Sequence, residues 1–297
     1  MGRRSARDTE KEIYPSGEAP SCGKGPKLAR KGNFMIPIEQ LTKEQAAGIR
    51  YILTDIDDTI TTEGKLPACA YTAMWRLHDA GYKVIPVTGR SCGWCDLIAR
   101  EWPAAAVVGE NGAVVYYMEN GHLKVFTHPS VAGDEVHKKL EDVKEACLKG
   151  VPGTRVAKDQ FSRVYDLAID FAEEPPCLGL DAAEKIKDIC VSMGAQAKVS
   201  SIHVNAWFGD YNKLSMTKLF METVWGETEI RDKILWFGDS PNDEPMFAYF
   251  PNSCGVANIK PFVDRIQHLP AFVAPYEGGQ GFAAAIDHLL KLQPHVK

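Results

Sequence analysis

Four short apolar runs, residues 51–54, 83–87, 105–108 and 234–237, limit what this chain can fold into, because each is followed at once by a polar residue or glycine. Unbroken apolar runs of this length mark strands buried on both faces, as in a parallel sheet. Residues 71–80, with Met74 and Leu77 one turn apart, and residues 96–102 show helical spacing between the runs. Strands alternating with helices point to an α/β fold with a Rossmann-like, doubly wound parallel sheet. The rhythm resumes at residues 254–256 and closes with a helix over residues 282–292.

The middle of the chain breaks that rhythm. It reads as an amphipathic helix over 134–148, an alternating strand over 163–171, a helix over 180–193 and two strands over 196–200 and 202–208. Helices grouped with alternating strands suggest an antiparallel α+β unit inserted into the parallel one. A length of 297 residues suits such a two-part organisation. Residues 1–34, rich in Gly, Pro, Ser and Lys, read as a disordered N-terminal tail, whether native or a leader. The expected division is therefore a core of residues 35–120 and 210–297 and an inserted domain of residues 121–209.

The net charge of -5 is uneven, since the first 31 residues carry eight Lys or Arg against four Asp or Glu. The remainder is acidic and offers no field for nucleic acid. No apolar run is long enough to span a membrane, so the expected compartment is the cytoplasm. Eight irregularly spaced cysteines suit reduced thiols rather than a disulfide framework. Cys92-Gly-Trp-Cys95 lacks a second matching pair and reads as the start of a helix. Trp75, Trp94, Trp102, Trp225 and Trp236 read as core or near-core residues. Protein partners and oligomeric state are not legible.

Chemistry concentrates at the strand ends. Asp55-Ile-Asp57-Asp58-Thr59 follows the first apolar run, where ligands bind in open α/β sheets, and its clustered carboxylates call for a hard cation such as magnesium. An acidic turn capping the next helix is the competing reading. Gly238-Asp239-Ser-Pro-Asn242-Asp243 places a second acidic loop after another strand, able to converge on the same ion. Thr88-Gly89-Arg90 at a third strand end, and Lys213 at a helix start, could meet an anion, though a turn and a surface lysine are the plain alternatives.

In order and position, Asp55-x-Asp57-x-Thr59, Thr88, Lys213 and Gly238-Asp239-Ser-x-Asn242-Asp243 resemble the four motifs of the haloacid dehalogenase superfamily. Gly109-Glu-Asn111-Gly112-Ala113 resembles the signature of its subfamily with a type IIB cap, which includes sugar-phosphate phosphatases. The likeness spans about residues 48–292. It implies Asp55 as nucleophile, Asp57 as general acid/base, and Thr88 and Lys213 as phosphate ligands. It further implies Asp55, Asp57, Asp239 and Asp243 around Mg2+, with Gly89 and Asn242 orienting phosphate. Leu214 departs from the small residue often found after the motif lysine, which leaves Lys218 as a secondary candidate.

The implied reaction is hydrolysis of the phosphomonoester of a sugar or other small polar metabolite through an aspartyl-phosphate. Phosphomutase-type transfer to a second hydroxyl, and an inert binding module of the same fold, are the alternatives. A module would tolerate loss of Asp55, Asp57 or Asp239, and all three are present. Alternation over residues 202–208 sets Ile202, Val204, Ala206 and Phe208 against His203, Asn205 and Trp207. Gln196, Lys198 and Ser200 repeat the polar side. With helices over the apolar side, that polar face is left open, and the resemblance implies that it looks down on the phosphate site, so His203, Asn205 and Trp207 would contact substrate.

Overall fold

The run Tyr51–Thr54 is a strand buried along its whole length, and the core assembles around it. A computed structural model of the chain describes residues 34–131, 133 and 135–296. The tail expected at residues 1–34 lies outside the described residues except for Phe34, as does Asp134 at the expected helix start. The chain opens with β1 (Ile36–Pro37), α1 (Lys43–Gly48), β2 (Tyr51–Thr54), α2 (Ala68–Asp79), β3 (Lys83–Pro86) and α3 (Cys92–Glu101). Next come β4 (Ala106–Gly109), β5 (Val114–Glu119) and β6 (His122–Thr127). The middle holds α4 (Glu135–Gly150), β7 (Arg155–Val156), β8 (Asp166–Asp170), α5 (Leu180–Ser192), β9 (Gln196–Val199) and β10 (His203–Trp207). It is followed by α6 (Lys213–Trp225), β11 (Ile234–Gly238), α7 (Glu244–Tyr249), β12 (Ser253–Gly255), β13 (Phe272–Val273) and α8 (Gly278–Leu292).

The main sheet runs β1-β13-β12-β11-β2-β3, every pair parallel. One face packs Ile52, Leu235 and Phe237 against Met74 and Leu77 of α2 and Phe282 of α8. The other packs Leu53, Ile85 and Trp236 against Met216 and Phe220 of α6 and Met246 of α7. Helices thus cover both faces, which is why the strands read as continuous apolar runs. A parallel bridge from Val87 to Val108 continues the layer to β4, which pairs antiparallel with β5, and β5 with β6. The hairpin turns through Asn120 and Gly121, both at positive φ (51° and 77°). That turn falls where the sequence reading divides core from insertion.

The inserted sheet is antiparallel, ordered β7-β8-β10-β9. Leu167, Ile169, Val204 and Ala206 pack under Val136, Leu140 and Val143 of α4 and Ile186 of α5. The opposite face carries polar side chains over the carboxyl ends of the core strands. Among the described residues no helix is long and apolar enough to cross a membrane.

Candidate active site

Parallel pairing of β2 with β11 brings two acidic loops side by side, and Asp55 N–H donates to Phe237 O at 3.0 Å beyond the last strand residue. Asp55 Oδ1 accepts from Ile56 N–H at 2.9 Å, and Asp55 Oδ2 lies 3.1 Å from Lys213 Nζ. The same ammonium is 3.2 Å from Asp243 Oδ1. Asp243 Oδ2 accepts from the N–H of Asp239, whose own Oδ1 accepts from Thr59 Oγ1 at 3.1 Å. Only glycine fits at position 238, since a Cβ there would lie 2.5 Å from Asp243 Oδ2. Lys213 opens α6 from a capping box in which Asn212 accepts from Leu214 and Ser215 and Ser215 accepts from Asn212.

Oxygens of Asp55, Asp239 and Asp243 lie within 4.8 Å of one another, and all three residues are buried. Two carboxylates at that separation repel by about 3.5 kcal/mol at an effective dielectric near 20, and Lys213 is the one cation bonded to the group among the described residues. Burial pushes Asp55 up to about 7, with Asp243 and Asp57 adding to the shift and Lys213 opposing it. Burial, then the charges of Asp243 and Asp55, hold Asp239 well above the usual carboxylate range. Burial works against the charge on Lys213, yet Asp55 and Asp243 keep it cationic. A dense, under-neutralised set of hard oxygen donors fits a divalent cation. Asp57, expected among its ligands, is not in this cluster. The Arg90 fork has claimed its carboxylate, with Nε 3.2 Å from both oxygens and Nη2 2.5 Å from Oδ1.

Thr88 is fully buried, its hydroxyl accepting from Arg90 N–H at 3.1 Å, so it stabilises the turn and does not line the cavity. Gly89 and Asn242 do line it, as do Asp55, Asp57, Lys213 and Asp239. Asp243 stands behind Lys213. Lys218 lies over the Tyr249 ring at 5.0 Å, which leaves Lys213 as the site lysine. Gly112, at φ +108°, would place a Cβ 2.3 Å from Asn212 O, so the Asn111–Gly112 turn abuts the start of α6.

The cavity is about 610 Å3, and the polar face of the inserted sheet roofs it. His203, Asn205, Lys198 and Ser200 line it as alternation predicts, Lys198 pairing with Asn205 across β9 and β10. His203 Nε2 meets Glu173 Oε2 at 2.8 Å. Lys198 is water-accessible through the cavity, while burial and the charges of Lys187 and Lys213 lower its proton affinity. Trp207, expected beside His203 and Asn205, does not line this cavity and borders an adjoining pocket of about 40 Å3. At the end of β10 its indole stacks on Tyr211 at 5.9 Å and donates to Tyr211 O at 3.3 Å.

Residues 52–150 match the family model of the haloacid dehalogenase-like hydrolases, a segment that carries Asp55, Asp57 and Thr88. Over that segment the chain is similar to the family. The chain is 26% identical over 250 residues to the phosphoglycolate phosphatase of Nitrosopumilus maritimus (strain SCM1), covering 81% of this chain and 96% of that one. In structure it resembles the C-terminal domain of the C. albicans trehalose-6-phosphate phosphatase, with a TM-score of 0.64 and 15% identity over 90% of this chain and 100% of that one. It also resembles the sucrose-phosphatase of Synechocystis sp. PCC6803, with a TM-score of 0.56 and 17% identity over 80% and 97% of the two chains. These likenesses show a shared fold, a parallel core sheet with an inserted antiparallel sheet.

The chain ties its inserted sheet to its core through residues to which the sequence reading gave no role. Buried Glu110 accepts from Cys92 N–H on the core side and from Val164, Tyr165 and Asp166 N–H on the other, at 2.6–3.2 Å. Arg163 donates to Gly89 O at 2.9 Å and pairs with Asp166 and Asp159. Asp166 Oδ2 accepts from Asn205 at 3.0 Å and Asn111 at 3.3 Å, so the Asn205 amide is engaged within the protein. Glu110 and Asn111 belong to the quoted signature, which was the available signal. Nothing in the pattern around Arg163 and Asp166 announced an ion pair.

Proposed function

We propose that this chain is a magnesium-dependent, cytoplasmic phosphatase acting on the phosphomonoester of a sugar or other small polar metabolite. The observation that carries the reading is Asp55, whose Oδ2 lies 3.1 Å from Lys213 at the carboxyl end of β2, beside Asp239 and Asp243. Asp55 attacks phosphorus, forming a bond from its carboxylate oxygen as the bond to the ester oxygen breaks, and Asp57 gives the departing oxygen a proton. Asp57 then takes a proton from water, whose oxygen displaces Asp55 from phosphorus and releases phosphate. Arg90 orients Asp57 for both steps, and Lys213 meets the charge on the phosphoryl oxygens. Held by Asp55, Asp239 and Asp243, magnesium would supply further positive charge to those oxygens. Residues 121–209 act as the cap over this site.

The names of the relatives support the reading, being phosphatases of phosphoglycolate, trehalose 6-phosphate and sucrose phosphate. The test is phosphate release from a panel of phosphorylated metabolites with magnesium and after its removal by chelation. Release should stop on chelation, return with magnesium, and be abolished in Asp55→Asn with the fold intact by circular dichroism. Near-normal release from that variant would remove the covalent mechanism.

A further inference from the structure

Three large apolar side chains border the cavity and stay substantially exposed to it. Trp94 and Leu97 on α3 are 42% and 43% exposed, and Phe161, on the inserted segment between β7 and β8, is 92% exposed. The sequence reading placed Trp94 near the core. Leaving a side chain of this size in water forgoes roughly 1.5–3 kcal/mol of burial, and here the exposed groups come from both core and cap and converge on one cavity. A local path joins this wall to the chemistry. The Arg90 guanidinium sits 4.2 Å from the centroid of the Trp94 ring while its fork holds Asp57. The wall therefore starts where the ester oxygen would receive its proton and runs along the course of the departing group. Lys198, Ser200, Ser201 and His203 furnish the polar boundary. A cavity of about 610 Å3 suits a ligand far larger than a two-carbon acid.

We infer that Trp94, Leu97 and Phe161 select substrates whose leaving group carries a ring with a flat apolar face. The inference rests on the phosphatase reading and narrows its substrate class. A pyranose, through its C–H face, and an aromatic ring both offer that chemistry. Short-chain phosphoesters such as phosphoglycolate leave the wall bare.

The test compares kcat/KM for glucose 6-phosphate, 1-naphthyl phosphate and phosphoglycolate in the whole protein with magnesium. At least one ring ester should exceed phosphoglycolate, and which one does separates the glycosyl from the aryl source. Phe161→Ala should lower the ratio of that ring ester to phosphoglycolate about tenfold, chiefly through KM. Phe161→Tyr should restore it. Phe161 is so exposed that its truncation removes little packing, and Trp94→Phe gives an independent second variant that keeps a ring near Arg90 and should lower the ratio less. Phosphate release from all three esters with a ratio that Phe161→Ala leaves within about twofold would overturn the inference and spare the phosphatase reading. Phosphoglycolate preferred over both rings would do the same. No release from any ester overturns both.

Discussion

Asp55 shows how a single side chain records its surroundings. Burial, Asp243 and Asp57 all disfavour its charge, Lys213 and the Ile56 N–H favour it, and the group is left at about 7. A cation must displace that proton, so magnesium affinity should be full above about pH 7 and fall by up to about tenfold per pH unit below it. Calorimetric titration from about pH 8 to about pH 6 checks this, and a flat affinity across that range would contradict the site. The cluster of Asp55, Asp239 and Asp243 was legible because carboxylates directly after an apolar strand have few other reasons to gather. Arg90 was not, since its role depends on a fork reaching Asp57 33 residues away. Trp207 was misjudged because alternation fixes the face of a strand, while the strand's last residue answers to its neighbours, here Ala113 and Tyr211.

At the level of elements, the parallel strands were easiest to read because both faces are buried. Helix starts were harder to read from periodicity: α3 begins four residues before the periodic stretch at 96–102, at the Cys92-Gly-Trp-Cys95 segment that reads as a helix start, with Cys92 and Cys95 buried in its first turn. Burial, then Glu110, keeps the Cys92 thiol protonated, which accords with a packing role. The β5–β6 hairpin was passed over although Asn120-Gly121 is a strong two-residue turn signal, because Val114–Glu119 lacks alternation. The link between β8 and the Gly89 turn carries a buried charge. Asp166→Ala would leave the Arg163 charge, 2% exposed, with less compensation, and should cost about 3 kcal/mol or more in urea unfolding. Replacing Arg163 and Asp166 together by Met and Leu should recover most of that loss. A cost below about 0.5 kcal/mol for the single variant would mean that Asp159 alone suffices.

Across the whole molecule, the two-part organisation was visible as a change of periodicity, from buried parallel runs to alternating strands. What no periodicity could reveal is how near the two crossings between the parts lie. His128, just past β6, and Tyr211, just before α6, face each other with ring centroids 5.7 Å apart, and His128 N–H still donates to Ala113 O in the core. An insertion whose ends meet is removable: a bridge of about four flexible residues spans such a gap, and shortening a loop costs the host little entropy. Replacing residues 129–210 by a Gly-Ser bridge should therefore leave a parallel core that unfolds cooperatively by circular dichroism, with Glu110 now facing water. Failure to unfold cooperatively would show that the core depends on the Glu110 contacts. The adjacency also makes the core a socket, into which a different roof could be spliced at the same two residues without disturbing the strand ends beneath.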